Sequence, residues 1–113
     1  MKVVESSLFG APLLKIVGDV DHLTAPVLDE AIQGVIGRDS YHLLLDLSEC
    51  PYLDSGGLGV LLFTLRELRT KGWLGVIGSG PNLLRLFEIV GLAADPDFRI
   101  FPSLEDASSA VDS

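Results

Sequence analysis

Tyr41-His42-Leu43-Leu44-Leu45-Asp46-Leu47 runs into Ser48-Glu49-Cys50-Pro51-Tyr52-Leu53-Asp54-Ser55-Gly56-Gly57-Leu58-Gly59. The first segment is almost continuously apolar, so it reads as a central strand buried on both faces, the pattern of a sheet covered by helices. Pro51 interrupts regular structure, and Ser55 with Gly56 and Gly57 marks a sharp turn. The spacing then predicts a helix from about Gly57 to Lys71, with Leu58, Leu61, Leu62, Leu65 and Leu68 on one face. Val60 and Phe63 lie off that stripe, as expected of a helix buried on several sides or used for association. Arg66, Glu67, Arg69 and Lys71 crowd its end, where positive charge complements the helix dipole.

Outward from this unit the pattern alternates. Val3-Val4-Glu5-Ser6 is a short edge strand, Gly10-Ala11-Pro12 a turn, and Leu13-Leu14-Lys15-Ile16-Val17 a second strand ended by Gly18; so short a link predicts a hairpin. Thr24 as N-cap and Pro26 in the first turn open a helix with Leu28, Ala31, Ile32, Val35 and Ile36 as its stripe, and Gly37 stops it. Trp73–Ile77 reads as a strand. Gly80-Pro81-Asn82 leads into a helix carrying Leu83, Leu86, Phe87 and Val90, closed by Gly91. Phe98–Phe101 is a short strand, and Ser103-Leu104-Glu105-Asp106 has capping-box spacing before a last helix that turns Leu104, Ala107 and Val111 inward. The fold class is therefore α/β: a mixed sheet with an N-terminal hairpin, in one domain spanning residues 1–113.

Composition narrows the function. Sixteen acidic residues against 8 Lys and Arg leave a formal charge of −8, which repels nucleic-acid phosphates and anionic membranes. The lone Cys50 makes no intramolecular disulfide and no cysteine-based metal site; its simplest reading is an inert buried thiol. The N-terminal residues lack an apolar run of signal-peptide length, and no stretch is long enough to span a bilayer, so the cytoplasm is the expected location. A mean hydropathy of +0.43 means efficient burial or apolar surface reserved for a partner. Val60, Phe63, Leu84 and Ile89, off the core stripes, are the residues expected in such a patch.

Catalytic and cofactor motifs are thin. Gly56-Gly57-Leu58-Gly59 before a helix suggests a phosphate cradle, but a dinucleotide fingerprint needs glycine where Leu62 stands, and no P-loop occurs. Asp19, Asp21 and Asp54 each follow a strand; clustered carboxylates can hold a divalent cation, yet loop carboxylates that cap turns are the simpler reading. A Ser55–His22–Asp21 arrangement can be drawn, but no nucleophile elbow surrounds Ser55, and His42, the other histidine, falls in a strand. Ser55 is most simply the cap of the second helix, and the glycines most simply supply a tight turn with positive φ. No cofactor, metal site or enzymatic activity is expected.

Three segments carry a family resemblance. Leu45-Asp46-Leu47-Ser48 followed by Leu53-Asp54-Ser55-Gly56-Gly57-Leu58-Gly59-Val60-Leu61-Leu62 resembles the signature of STAS domains of the anti-sigma-factor antagonist type. So do Gly18-Asp19-Val20-Asp21 with Thr24-Ala25-Pro26, and Leu86–Leu92 continued by Phe101–Ala107. The resemblance implies helices packed mainly on one side of the sheet. It implies partner switching: an unphosphorylated antagonist binds a kinase-like anti-sigma factor and frees a sigma factor, until phosphorylation at the start of the second helix dissociates the complex. It also implies a partner-binding surface made of Asp21, Asp54, Ser55, Gly56 and Leu58. The usual acceptor position is Gly56, which has no hydroxyl; Ser55, one residue earlier, is the remaining candidate for phosphorylation. The expected function is a protein-binding regulator lacking the usual phosphoserine switch. The alternative is a non-phosphorylated STAS subunit of a larger signalling or lipid-transport complex, and homo-oligomerisation is left open.

Overall fold

The leucines of the central segment set the architecture. In the computed structural model, which describes residues 1–36 and 42–112, they lie in β3 (His42–Glu49), the middle strand of five. Its neighbours are β2 (Ala11–Val17) and β4 (Trp73–Ile77), both parallel to it. Leu43, Leu44 and Leu45 are each at most 1% exposed, so successive side chains are buried on opposite faces, as an interior strand covered twice requires. β1 (Lys2–Leu8) forms the antiparallel hairpin with β2, and β5 (Phe98–Phe101) closes the other edge parallel to β4. Sheet order is thus chain order, and the mixed α/β sheet with its N-terminal hairpin is as the sequence predicts.

Three helices cover one face: α1 (Ala25–Ile36), α2 (Ser55–Leu68) and α3 (Pro81–Ile89). Leu28, Ile32 and Val35 of α1, Leu61, Leu65 and Leu68 of α2, and Leu83 and Phe87 of α3 meet Leu14, Ile16, Leu43, Leu45 and Val76 of the sheet in the main core. A smaller cluster on the opposite face joins Leu13, Leu44, Trp73 and Ile77 to Ala107 of α4 (Leu104–Asp112). Helices therefore pack mainly on one side.

Several local expectations are corrected. The hairpin turn lies at Phe9-Gly10, and Ala11 and Pro12 already belong to β2. α2 ends at Leu68, not Lys71, because Arg69 leaves helical geometry at ψ 133° and Thr70 takes a left-handed φ of 77°. The amides of Lys71 and Gly72 then return to the Leu68 carbonyl at 2.9 and 2.8 Å, turning the chain into β4. Arg69 pairs with Asp95 at 2.8 Å and Asp97 at 3.2 Å, so one cation of the cluster is spent on fixing this corner. Leu104 is not inward but 48% exposed. Ser103 does cap α4, accepting the Asp106 amide at 3.3 Å and donating to the Asp106 carboxylate at 2.7 Å. Gly91 closes α3 at φ 85°, the left-handed position that favours glycine. The expected stop at Gly37 and the start of β3 at Tyr41 lie outside the described residues.

Candidate partner-docking surface

Two loops leave the sheet side by side, residues 18–24 after β2 and residues 50–54 after β3. A one-residue parallel bridge, Val20 to Leu53, joins them. Val20 N–H donates to the Tyr52 carbonyl and Asp54 N–H to the Val20 carbonyl, both at 3.0 Å. The start of α1 and the start of α2 are thereby latched together.

Asp54 holds the latch from the α2 side. It, and not Ser55, is the N-cap of α2: its Oδ1 accepts the Gly56 and Gly57 amides at 2.8 and 3.2 Å. A carboxylate reaches two of the helix's free amides and answers the positive end of the dipole better than a hydroxyl. Its Oδ2 crosses to the other loop and accepts the His22 amide at 2.9 Å. Partial desolvation works to raise the Asp54 pKa, but the hydrogen bonds from Gly57, Gly56 and His22 together outweigh it and lower the carboxyl below its ordinary value.

Asp21 holds the other side. Its Oδ1 accepts the Leu23 and Thr24 amides, both at 2.9 Å, while Thr24 Oγ1 accepts the Asp21 amide at 2.9 Å. This reciprocal box makes Asp21 the cap of the turn that leads into α1; Thr24, expected as N-cap, is its return partner. The hydrogen bond from the Thr24 backbone is the main cause of a lowered Asp21 pKa.

The glycines serve close approach, not left-handed geometry. Neither Gly56 nor Gly57 has a positive φ. A Cβ on Gly56 would stand 2.8 Å from the His22 Cα, and one on Gly57 would stand 2.9 Å from Val20 Cγ1. Gly56 is thus pressed against the backbone of the neighbouring loop.

Of the expected contact residues, Asp21, Asp54, Ser55 and Gly56 are brought to one edge of the molecule, around the start of α2. Ser55 is exposed as the first residue of α2. Leu58 is the exception: half-buried, it packs mainly against the core. Asp19 is exposed nearby, and among the described residues no group of three or more His, Cys, Asp or Glu side chains is placed to hold a metal ion. The drawn triad is not assembled, because the Asp21 carboxylate is committed to Thr24 and Leu23 while His22, 77% exposed, leans on Asp54 at 3.6 Å. His42 lies on β3 and stacks on Trp73 at 4.4 Å. The Cys50 thiol is buried and donates to the Tyr52 carbonyl at 3.5 Å; burial raises its pKa.

A groove of about 460 Å³ opens beside this edge, between α1 and α2. His22, Ala25, Pro26 and Asp29 form one wall, and Gly56, Val60 and Phe63 the other. Of the four residues expected in an apolar patch, Phe63 (53%) and Ile89 (72%) are exposed, whereas Val60 and Leu84 are half-buried. Asp29 and Pro26 carry no signal as site residues in sequence; Val60 and Phe63 do, through their position off the core stripe of α2.

A mixed five-stranded sheet, three helices on one face and a glycine-rich α2 start latched to the preceding loop are the attributes of a STAS domain, and the chain belongs to that family: the family described as "Mlab, STAS domain" matches residues 4–102. The chain is 35% identical over 102 residues, 90% of its own length and 82% of the relative's, to the anti-sigma-F factor antagonist RsfB of Mycobacterium tuberculosis. It is 38% identical over 79 residues, 69% of each protein, to the anti-sigma-B factor antagonist of Listeria monocytogenes. The crystal structure of an anti-sigma factor antagonist from Mycobacterium paratuberculosis superposes with a TM-score of 0.88 at 32% identity, covering 99% of this chain and 94% of that one. No described helix is long and apolar enough to cross a membrane.

Proposed function

We propose that this chain is an anti-sigma-factor antagonist that acts by binding and not by catalysis. The observation that carries the reading is the latched edge itself. Asp21 and Asp54 spend their hydrogen bonds on fixing two loops, which holds the start of α2, with Ser55 exposed and Gly56 half-buried, rigidly against the neighbouring loop. A preorganised surface of this kind lets a partner approach closely at little ordering cost. The names of the relatives above support an anti-sigma factor as that partner. Its kinase-like fold and a cytoplasmic setting follow from the same scheme. Asp21, Asp54, Ser55 and Gly56 form the contact, with Leu58 beneath it.

The switch differs from the usual one. Gly56 has no hydroxyl, and the space a side chain would need is taken by the His22 backbone. Binding is therefore not released by phosphorylation at residue 56, and Ser55 is the hydroxyl left in reach. The same glycine favours a second reading, a non-phosphorylated STAS subunit of a larger complex. The test is to mix the chain with the anti-sigma factors of its own organism, with and without ATP, and follow complex formation, sigma-dependent transcription and phosphate incorporation. Release of sigma activity without phosphate on the chain is the expected result. No binding to any of them would refute the first reading, and stoichiometric phosphate on Ser55 with loss of binding would restore an ordinary switch.

A further inference from the structure

We infer that the α1–α2 groove is a docking site for a cationic amphipathic helix of a partner protein, which seats a large apolar side chain between Pro26 and Phe63 and sets Arg or Lys over Asp29. This rests on the binding reading above and extends its surface by two helical turns beyond the latched loops. The first argument is apolar. Phe63 is half exposed beside half-buried Val60, and the two share an apolar groove with Ala25 and Pro26. The second is charge. Residues 18–36 and 50–68, which make the groove and its surroundings, contain Asp19, Asp21, Asp29, Glu30, Asp54 and Glu67 against one cationic residue, Arg66. Asp21 and Asp54 are anions held by backbone amides, and Asp29 and Glu30 are engaged by no cation among the described residues. A partner that covers this surface must bring positive charge to it.

The third argument is backbone chemistry. Apart from His22, whose amide is taken by Asp54, the walls are helical segments, so an extended peptide laid in the groove finds no strand edge to pair with; a helix brings its own hydrogen bonds. The same charge argues against a second copy of this chain, since two such faces would set like charges together.

The experiment uses ¹⁵N-labelled protein and two helical peptides with the same Leu/Phe face, one flanked by Arg and Lys and the other by Glu. The cationic peptide is expected to shift the amides of residues 22–33 and 56–63, to weaken with added salt, and to lose about tenfold in affinity with Phe63→Ser. Asp29→Asn should flatten the salt dependence, and Ile89→Ser, exposed at the far end of α3, should change nothing. Equal binding of both peptides would make the groove a general apolar site and overturn the inference. So would shifts that map elsewhere, or a concentration-dependent dimer abolished by Phe63→Ser. A parallel titration with the anti-sigma factor separates the two ideas. A complex indifferent to Phe63→Ser and Asp29→Asn sinks the groove and leaves the function standing; cationic-peptide binding without any anti-sigma complex does the reverse.

Discussion

Replacing Gly56 by alanine would place a methyl group 2.8 Å from the His22 Cα, 3.1 Å from Asp54 Oδ1 and 3.2 Å from the His22 amide nitrogen. The obstacle is backbone, and that backbone is held by the Val20–Leu53 bridge, by Asp54 Oδ2 and by the Asp21–Thr24 box. Residues 20–24 cannot retreat without loosening at least one of these. Overpacking of this kind costs about 1–3 kcal/mol. Removing a glycine from a helix gains at most about 1 kcal/mol and less in the first turn. The net is a loss of about 1–2 kcal/mol, which lowers the Tm by about 5–10 °C in a domain of this size. Gly59 supplies the control. It lies one turn further along α2 with nothing within 4 Å of its would-be Cβ, so Gly59→Ala should stabilise the fold by about 0.5–1 kcal/mol. Urea unfolding followed through the single Trp73 measures both. A Gly56→Ala variant as stable as the parent would refute the close-approach argument. Serine carries the same Cβ carbon, so restoring a hydroxyl by Gly56→Ser should carry the same loss of stability.

Acid should loosen the latch: the folded pKa values of Asp54 and Asp21 lie below their ordinary values, so their contribution is complete above about pH 4 and is lost as pH falls through the depressed folded values. Asp54→Asn, which keeps an acceptor but does not titrate, should flatten that acid limb in unfolding experiments from pH 6 to pH 2; an unchanged limb would show that other carboxylates dominate. Phe87→Ala removes a fully buried ring packed edge-on against Phe98 at 5.1 Å and should cost about 3–5 kcal/mol, visible as a large drop in urea midpoint. Cys50, buried and with its pKa raised, should resist a thiol reagent in the native protein and react at once in denaturant; rapid native labelling would contradict its burial.

The sheet was legible because its signals are dense and local. Leu43 to Leu47 cannot be an amphipathic surface element, and Trp73–Ile77, buried at every position, is bounded by glycines on both sides. Helix ends were less legible, because they depend on partners distant in sequence. Asp54 outcompetes Ser55 as cap because it can also reach the His22 amide 32 residues away, and Arg69 ends α2 where Asp95 and Asp97 receive it. The role of Gly56 was half legible: the missing hydroxyl is in the sequence, whereas the neighbouring loop that requires glycine there is visible only in three dimensions. The groove was the least legible. Asp29 and Pro26 look like ordinary surface positions of α1 until α2 is laid beside them.

Because the strands are hydrogen-bonded in the order in which they occur along the chain, the sheet can grow by accretion. The β1–β2 hairpin needs only a short loop closure, and each later strand adds to an edge already present, with its crossover helix arriving first. During synthesis the growing domain always exposes the edge that the next strand will cover. The vulnerable moment comes when β4 is in place and β5 is not, because all five residues of β4 belong to the buried interior of the finished fold. Chains truncated between residues 77 and 98 would hold that apolar edge open, and their aggregation should be far worse than that of chains truncated just after Phe101.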